Sequence, residues 1–301
     1  MNLQVNDSRT VARGGGFFQE MLSLLKVNVR EYGMYIALFV IMLIFSILTD
    51  GLFMSSRNIS NLLDATGYIA VLAVGMTLVI VIRHIDLSVG YAAGFMGAIA
   101  AILLTQYGFP VYLTIPIILL IGIAAGLITG FLVASVGIPA FVATLAGMLI
   151  FRGALLQVTE KTGTINVRDE WFNAIGNGYI PAIAKVGGLN LSSLLLGAVA
   201  IILYILSEIH NRRNKLKYNF EVVSGGIFAL KLVFVSVIIA YITWILAGYN
   251  GISWTVVIML LVVIVYHFLT TKTVLGRHIY AVGSNPEAAH LSGINVKKIT
   301  Y

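Results

Sequence analysis

The side chains that could carry out chemistry in this sequence are few, and they do not form a catalytic set. Asp86 has no second carboxylate close to it for acid–base catalysis. The five histidines are scattered along the chain without the spacing of metal ligands. The phosphate-binding loop GxxxxGK[ST], the zinc motif HExxH and the nucleophile motif GxSxG are all missing. The sequence therefore predicts no catalytic residue, no metal site and no cofactor.

Charged groups within or beside apolar stretches are the next candidates. Asp86 and Ser88 lie in HIDLSVG between two apolar stretches, and Arg152 lies inside the stretch FVATLAGMLIFRGALLQ. Such groups are costly in a bilayer and are often functional, so we predict that these three residues belong to a translocation pathway or gate. Two structural alternatives stay open. Asp86 could cap the following helix, with Arg83 as a basic anchor, and Arg152 could reach the membrane interface or pair with a carbonyl group.

A third candidate is a short helix with strong start and stop signals, in the segment GRHIYAVGSNPEAAHLSGINV. Either Ser284 or Asn285 can cap it, and Pro286 suits its first position. Glu287 would lie in the first turn and complete a capping box with Ser284, while Gly293 can end the helix in a left-handed conformation. The pattern predicts an exposed helix of about two turns between two loops. Such a helix suits the docking of a partner, although it could also only order a loop.

The composition shows what kind of protein must hold these groups. The 301 residues are 59% hydrophobic and 10% charged, with a mean hydropathy of +0.97, whereas soluble domains carry about 25% charged residues. The chain is therefore predicted to be an all-α, polytopic membrane helix bundle. The net charge of +7 is better explained by membrane orientation than by nucleic-acid binding. There is no cysteine, and the N-terminus does not resemble a cleaved signal peptide.

Eight apolar stretches are long enough to be candidate spans. They cover 32–48, 62–82, 88–106, 111–135, 140–158, 191–209, 227–247 and 252–269. With a cytoplasmic N-terminus, most lysines and arginines fall on the cytoplasmic side, where the positive-inside rule expects them. Only four fall in external segments, namely Arg57, Lys161, Arg168 and Lys185.

This topology assigns the segments outside the spans. Residues 1–31 are predicted to be cytoplasmic, with a possible interfacial helix at 17–31 or, alternatively, a plain extension of the first span. The longest external loop is 159–190. Residues 270–301 are cytoplasmic and include the short capped helix.

Glycines at intervals of four mark the third and fourth spans. Small residues let helices approach closely in a membrane, so we predict that these two spans are buried in the bundle and that the bulkier span 227–247 faces lipid. The packing glycines are Gly90, Gly94, Gly122, Gly126 and Gly130.

Three segments together resemble the permease subunit of bacterial ATP-binding-cassette (ABC) monosaccharide importers, with the xylose and multiple-sugar permeases nearest and the ribose and arabinose ones beside them. The segments are HIDLSVG at 84–90, VGIPAFVATLAGMLIFRG at 136–153 and LGRHIYAVGSNPEAAHLSGINV at 275–296. Members of that family continue with further spans, so we expect this chain to be part of a longer permease.

The resemblance implies a function and a set of partners. It implies a homodimeric pore in the bacterial cytoplasmic membrane, a cytoplasmic ABC ATPase, an extracytoplasmic sugar-binding protein and a monosaccharide substrate. From its external position and its polar and aromatic composition, we expect loop 159–190 to meet the binding protein. The resemblance also implies that the capped helix is the coupling helix that docks on the ATPase. The residues assigned to this coupling role are Ser284, Asn285, Pro286, Glu287, Ala288, Ala289, Leu291 and Gly293.

The competing class is a secondary transporter or channel driven by an ion gradient. That class needs carboxylates within the membrane for proton or sodium coupling. On the sequence, Asp86 lies only at a boundary and no carboxylate lies in mid-span. A membrane scaffold without transport would explain the apolar spans, but it gives no reason for the charged segment around Asp86 or for the capped helix.

Overall fold

The computed structural model describes residues 29–160, 163, 165–220 and 222–301, and the predicted interfacial helix at 17–31 falls almost wholly outside them. The described chain is helical apart from one short antiparallel hairpin, β1 and β2. The helices are α1 (Val29–Leu48), α2 (Ser56–Val81), α3 (Val89–Thr105), α4 (Val111–Phe131), α5 (Ala140–Thr159), α6 (Glu170–Asn177), α7 (Leu191–Lys217), α8 (Gly225–Ala247), α9 (Trp254–Lys272), α10 (Val274–Ser284), α11 (Pro286–Leu291) and α12 (Val296–Thr300). A 3-10 turn (Leu52–Met54), a π-turn (Leu132–Val136) and the strands β1 (Lys185–Val186) and β2 (Leu189–Asn190) complete the elements.

The apolar helices support the predicted class of a polytopic helical membrane protein. Within the described residues, six helices are long and apolar enough to cross a membrane. Two shorter apolar helices, Gly33–Leu48 and Val89–Thr105, occupy the first and third predicted spans. A helix is thus present in each of the eight segments predicted as spans. A bilayer offers no hydrogen-bond partners to the backbone. Such apolar segments therefore form long helices, in which the backbone N–H and C=O groups pair within the segment.

The chain divides into two compact units. The first combines the residues up to Leu62 with Ile180–Ile252. In it, Gly197 of α7 lies so close to Thr243 of α8 that an added Cβ would come within 2.3 Å of the threonine methyl carbon. Glu208 and Lys231 of the same two helices form an ion pair of 2.8 Å. The α7–α8 pair is therefore held by a close glycine contact and by one ion pair.

The second unit combines Leu63–Tyr179 with Ser253–Tyr301 and contains the capped helix and the segment around Asp86. Here α3 packs on α4 and α5, and the rings of Phe95 and Phe151 lie 5.9 Å apart. A Cβ added at Gly94 would lie at an ordinary contact distance from Leu155, and a Cβ added at Gly122 would lie slightly too close to Met96. These contacts position the start of α3, where Ser88 lies.

Within the single chain, few residues of the third and fourth spans are buried, so their burial in the bundle stays a prediction. Only two residues are buried in each of α3 and α4, and an added Cβ at Gly90 or Gly126 would meet nothing within 4 Å. Gly130 does lie against a neighbour, Tyr301. By contrast α8, predicted to face lipid, buries Thr243 and the three residues that follow Trp244. A glycine face permits close approach but does not supply the partner helix, and here a partner covers only part of that face.

Candidate functional site

The predicted capped helix is present as α11, and its first turn is closed by Asn285. The side-chain oxygen of Asn285 accepts hydrogen bonds from the backbone N–H groups of Glu287 (3.0 Å) and Ala288 (3.1 Å). Pro286 follows as the first helical residue, where its missing N–H leaves no donor unpaired. The acidic Glu287 lies in the first turn, where it favours the positive end of the helix dipole.

The other end of α11 is closed by a complete Schellman motif. Gly293 has a φ of +83°, which glycine adopts without the steric penalty of a Cβ. Its N–H donates to the carbonyl of His290 (2.9 Å), and the N–H of Ile294 donates to the carbonyl of Ala289 (3.0 Å). A helix of six residues is too short to be stable by itself, so the caps at both ends fix its position along the chain.

Two details of the predicted helix are wrong. Ser284 does not cap α11 and forms no capping box with Glu287, because it is the last residue of α10. The loop expected before the helix is also absent, since Asn285 alone separates α10 from α11. The glycines at 276 and 283 and the serine at 284 made the segment resemble a loop. A helix forms there nevertheless, because both glycines pack directly on the backbone of neighbouring helices.

The side chains of α11 divide into a buried and an exposed side. Ala289 is buried at 4% exposure and holds the helix against the rest of its unit. Glu287, Ala288 and Leu291 are exposed, and Leu291 is 87% exposed to solvent. Leu291 thus places an apolar side chain on the exposed side of α11, where it is available for contact with another protein.

The joint between α9 and α10 sets the direction of the capped helix. The Thr273 hydroxyl donates to the carbonyl of Leu269 (2.5 Å) and accepts from the N–H of Gly276 (3.1 Å). It therefore satisfies the last turn of α9 and the first turn of α10 together. At Gly276, an added Cβ would lie 2.2 Å from the carbonyl oxygen of Thr270. At this joint Gly276 therefore packs directly on the backbone of α9, and there is no room for a side chain at position 276.

The segment from 82 to 88 is a tight turn between α2 and α3, stabilised by Asp86. The Asp86 carboxylate accepts hydrogen bonds from the N–H (2.7 Å) and the hydroxyl (2.6 Å) of Ser88. Ser88 is buried at the N-cap position of α3. The Thr144 hydroxyl of α5 donates to the carbonyl of Ile85 (3.1 Å). The structural alternative for Asp86 is therefore present in part, because the carboxylate binds the residue that begins the helix.

Asp86 also lines a cavity of about 190 Å³. The residues that line it include His84, Thr129, Thr144 and Tyr301, all of which have polar side chains. Burial lowers the pKa of the His84 imidazole below its ordinary value of 6.5, so the ring is neutral at pH 7 and can accept as well as donate a hydrogen bond. The stability contributed by this neutral form is present above pH 6.5 and is lost as the pH falls through the lowered pKa.

The third predicted pathway residue, Arg152, lies apart from Asp86 and Ser88. Its guanidinium carbon lies 5.9 Å from the centre of the Tyr91 ring, a cation–π arrangement between α5 and α3. Arg152 is exposed, and it does not line the cavity that holds Asp86. The structure thus brings two of the three candidates together and leaves the third farther along α5.

Two carboxylates lie inside the predicted spans, Asp64 in 62–82 and Glu208 in 191–209, and each lies within two residues of the end of its span. Asp64 lies in α2, inside the predicted span 62–82, and its Oδ2 accepts a hydrogen bond of 2.9 Å from the Tyr179 hydroxyl. Tyr179 itself is held by a bridge to Ser253 at the start of α9. Neither residue lies in mid-span, so the expectation that no carboxylate lies there stands for the predicted spans.

The comparisons with known proteins agree with the membrane architecture. A family model described as "Branched-chain amino acid transport system / permease component" matches residues 58–301. The xylose transport system permease protein XylH of Haemophilus influenzae is 40% identical over 278 residues, which cover 92% of this chain and 72% of that protein. XylH of Escherichia coli is 35% identical over 288 residues, covering 96% of this chain and 70% of that protein.

The ribose import permease protein RbsC of Haemophilus influenzae is 31% identical over 272 residues, covering 89% of this chain and 62% of that protein. No solved structure matches the chain. The matched region includes the turn 82–88 and all of α10 and α11. The chain therefore belongs to the permease family of ABC transport systems, as a membrane-spanning subunit rather than the catalytic one.

Proposed function

We propose that this permease carries a pentose such as xylose, or several related sugars, across the bacterial cytoplasmic membrane in an ATP-driven importer. The two relatives named xylose permeases are 35% and 40% identical to this chain, and the one named a ribose permease is 31% identical. The observation that carries the proposal is α11, capped at both ends and presenting Leu291 to solvent.

The energy for uphill transport comes from a partner in this proposal. The permease family works with an ATPase and a binding protein, and this chain has no phosphate-binding loop of its own. Residues 284–293 form the docking element for the cytoplasmic ATPase, with Ser284 and Asn285 as its base and Glu287, Ala288 and Leu291 as its exposed side. Two copies of the permease form the pore, and closure of the ATPase pair moves α11 and changes the side to which the pathway opens.

The same proposal places each segment outside the spans on one side of the membrane. The N-terminus and residues 270–301 are cytoplasmic, and the segment 159–190 with α6 is external. Trp171 of α6 is 82% exposed, and exposed aromatic side chains are common anchors of protein interfaces. We assign this segment to contact with the sugar-binding protein.

The pathway residues are proposed to act by hydrogen bonding. Sugars present hydroxyl groups, and the cavity beside Asp86 offers a carboxylate, an imidazole and hydroxyl groups. Asp86 would contact the sugar near the cytoplasmic end, with the buried Ser88 holding its carboxylate in place, and Arg152 is a separate gate candidate. Low affinity along this path is expected, because specificity resides mainly in the binding protein.

A single cysteine tests the proposal directly, because the chain has none. The change is Ala288→Cys, with Trp171→Cys as the matched external control. We expect Ala288→Cys to react with a membrane-impermeant thiol reagent only from the cytoplasmic side and to crosslink to the ATPase in a nucleotide-dependent manner. Trp171→Cys should react only from outside. Reaction of Ala288→Cys from outside alone would defeat the topology and, with it, the importer assignment.

Asp64 distinguishes the importer from a secondary transporter. Asparagine keeps a side-chain carbonyl that can accept from the Tyr179 hydroxyl, but it cannot bind or release a proton. Because ATP supplies the energy in an importer, we expect Asp64→Asn to retain uptake within about threefold, as for a hydrogen bond weakened by less than 1 kcal/mol. The measurement is radiolabelled sugar uptake in cells.

An ion-coupled carrier would give the opposite result. Loss of the carboxylate would abolish its accumulation of sugar. Its uptake would also persist after ATP depletion and collapse with an ionophore. The control variant is Asp64→Leu, which removes the acceptor as well as the charge, so its difference from Asp64→Asn reports the structural contribution of the Tyr179 hydrogen bond.

A further inference from the structure

The ends of two helices meet behind the docking helix. The Arg83 guanidinium donates a hydrogen bond to the carbonyl of Ser284. Arg83 lies two residues after the end of α2, and Ser284 is the last residue of α10, directly before the Asn285 cap. A cation at a helix C-terminus binds the orphan carbonyl groups and favours the negative end of the dipole. The contact therefore ties the base of α11 to the turn 82–88.

A second contact closes the same joint through backbone. A Cβ added to Gly283 would lie 2.0 Å from the carbonyl oxygen of Val81 and 2.9 Å from its carbonyl carbon. No side chain fits between these two helix ends, so α10 and α2 touch main chain to main chain. We call the pair of contacts, Arg83 with Ser284 and Gly283 with Val81, the Arg83 latch.

The backbone of Arg83 is held in an uncommon conformation. Its φ is +65°, a left-handed value that non-glycine residues rarely adopt. The Arg83 N–H donates to the carbonyl of Ile80 (2.9 Å), and the next N–H, of His84, donates to that of Val79 (3.0 Å). A strained residue of this kind persists only when its surroundings fix it. The turn therefore aims the guanidinium at α10 rather than leaving it free in solvent.

The latch is continuous with the candidate pathway. Two residues beyond His84, Asp86 binds Ser88 at the start of α3. The carbonyl between them, on Ile85, accepts from Thr144 of α5. On the other side, Ser284 is joined to α11 through Asn285 alone. A displacement of α11 is thus passed to the cavity wall through short, hydrogen-bonded segments, without a flexible loop.

We propose that Arg83 is a positioning residue that couples movement of the docking helix α11 to the turn carrying Asp86. The proposal rests on the proposed function, because it requires an ATPase that moves α11. The alternative is that Arg83 only orients the protein by its charge, as basic residues beside spans do. In that case any basic residue would serve equally well, and the ratio of sugar moved to ATP hydrolysed would not depend on Arg83.

The test measures coupling in the assembled transporter. Permease variants are purified with the ATPase and the binding protein, reconstituted in proteoliposomes, and assayed for sugar imported per ATP hydrolysed. We expect Arg83→Met to lower this ratio at least about fivefold while basal ATP hydrolysis continues, and Arg83→Lys to give an intermediate value, because lysine keeps a donor but loses the planar fork.

The matched control is Lys272→Met. Lys272 is an exposed base at the end of α9 that makes no hydrogen bond or ion pair in the described part of the chain. Its loss removes the same charge at the opposite end of α10 and should leave the ratio unchanged. A wild-type ratio in Arg83→Met, or full recovery in Arg83→Lys, would overturn the latch.

A second measurement separates the latch from the proposed function. Hydrogen exchange of the peptide covering 82–88 is compared in the permease–ATPase complex with and without nucleotide. We expect exchange to change with nucleotide in the wild type and not in Arg83→Met; the absence of any change in the wild type would overturn the latch. If Arg83→Met does not assemble, Arg83→Gln is used, and failure of both to assemble would make Arg83 a folding residue and overturn the proposal. A wild-type complex that shows the exchange response but no ATP-dependent sugar uptake would defeat only the proposed function.

Discussion

Replacing Leu291 by aspartate is expected to abolish ATP-driven uptake while leaving the permease folded and inserted. Leu291 is 87% exposed, so its own chain gains little from it. In a docked complex the same side chain would be covered, and an uncompensated charge buried there is strongly destabilising. The expected loss is at least about 2 kcal/mol of binding free energy, or roughly 30-fold in the dissociation constant, as for a central interface residue.

The measurement is the affinity of detergent-solubilised permease for the ATPase, followed by uptake in cells. The matched control is Leu216→Asp, a change of the same kind at an exposed leucine near the end of α7 that is 51% accessible. Leu216 lies outside the proposed docking element, so its variant should bind the ATPase normally. Wild-type affinity in Leu291→Asp would remove α11 from the docking surface.

Local signals allowed α11 to be predicted closely. The order of Asn285, Pro286 and Glu287, followed by Gly293, places a cap, a proline, an acid and a left-handed stop at the spacing a short helix requires. These effects act over one or two turns, so they can be read without the rest of the fold. The eight apolar segments are equally local, because length and composition alone make them helices in a bilayer.

The contacts that connect these elements could not be predicted in the same way. Arg83 and Ser284 are 201 residues apart in sequence, and Tyr179 and Asp64 are 115 apart. No periodicity relates such pairs, since they depend on how whole helices pack. The helix α10 was missed for the same reason. Its glycines disfavour a helix locally, but they allow contact with the backbone of α9 and α2, which the sequence does not reveal.

The glycine pattern of α3 and α4 is a case in which the sequence predicts a structural feature but not the contacts that the feature makes. The spacing of Gly122, Gly126 and Gly130 correctly indicates one small-residue face. It does not say which positions a neighbour covers, and in this chain the covered positions are Gly122 and Gly130, while Gly126 lines the cavity beside Asp86. A stripe of small residues therefore allows close contact between helices, but the positions that are in contact depend on how the rest of the chain packs.

Gly276→Ala is the second change with a large expected effect. The new methyl group would lie 2.2 Å from the carbonyl oxygen of Thr270 and 2.5 Å from that of Leu269. Both obstacles are backbone atoms of α9, so relief requires α10 to move away. We expect a loss of about 1–3 kcal/mol in stability, as for overpacked sites, and at least a tenfold fall in uptake, because the displaced α10 carries α11 with it.

Gly97→Ala is the matched control, and the comparison separates two uses of glycine in one protein. An added Cβ at Gly97 of α3 meets nothing within 4 Å, and alanine is favoured over glycine inside a helix by about 0.5–1 kcal/mol. The control should therefore be neutral or slightly stabilising in thermal unfolding and normal in uptake. If Gly276→Ala retained normal uptake, the close joint between α9 and α10 would not position the docking helix. If Gly97→Ala lost uptake with unchanged stability, the open face of α3 would have to meet a second protein surface, because the methyl group meets no atom of its own chain.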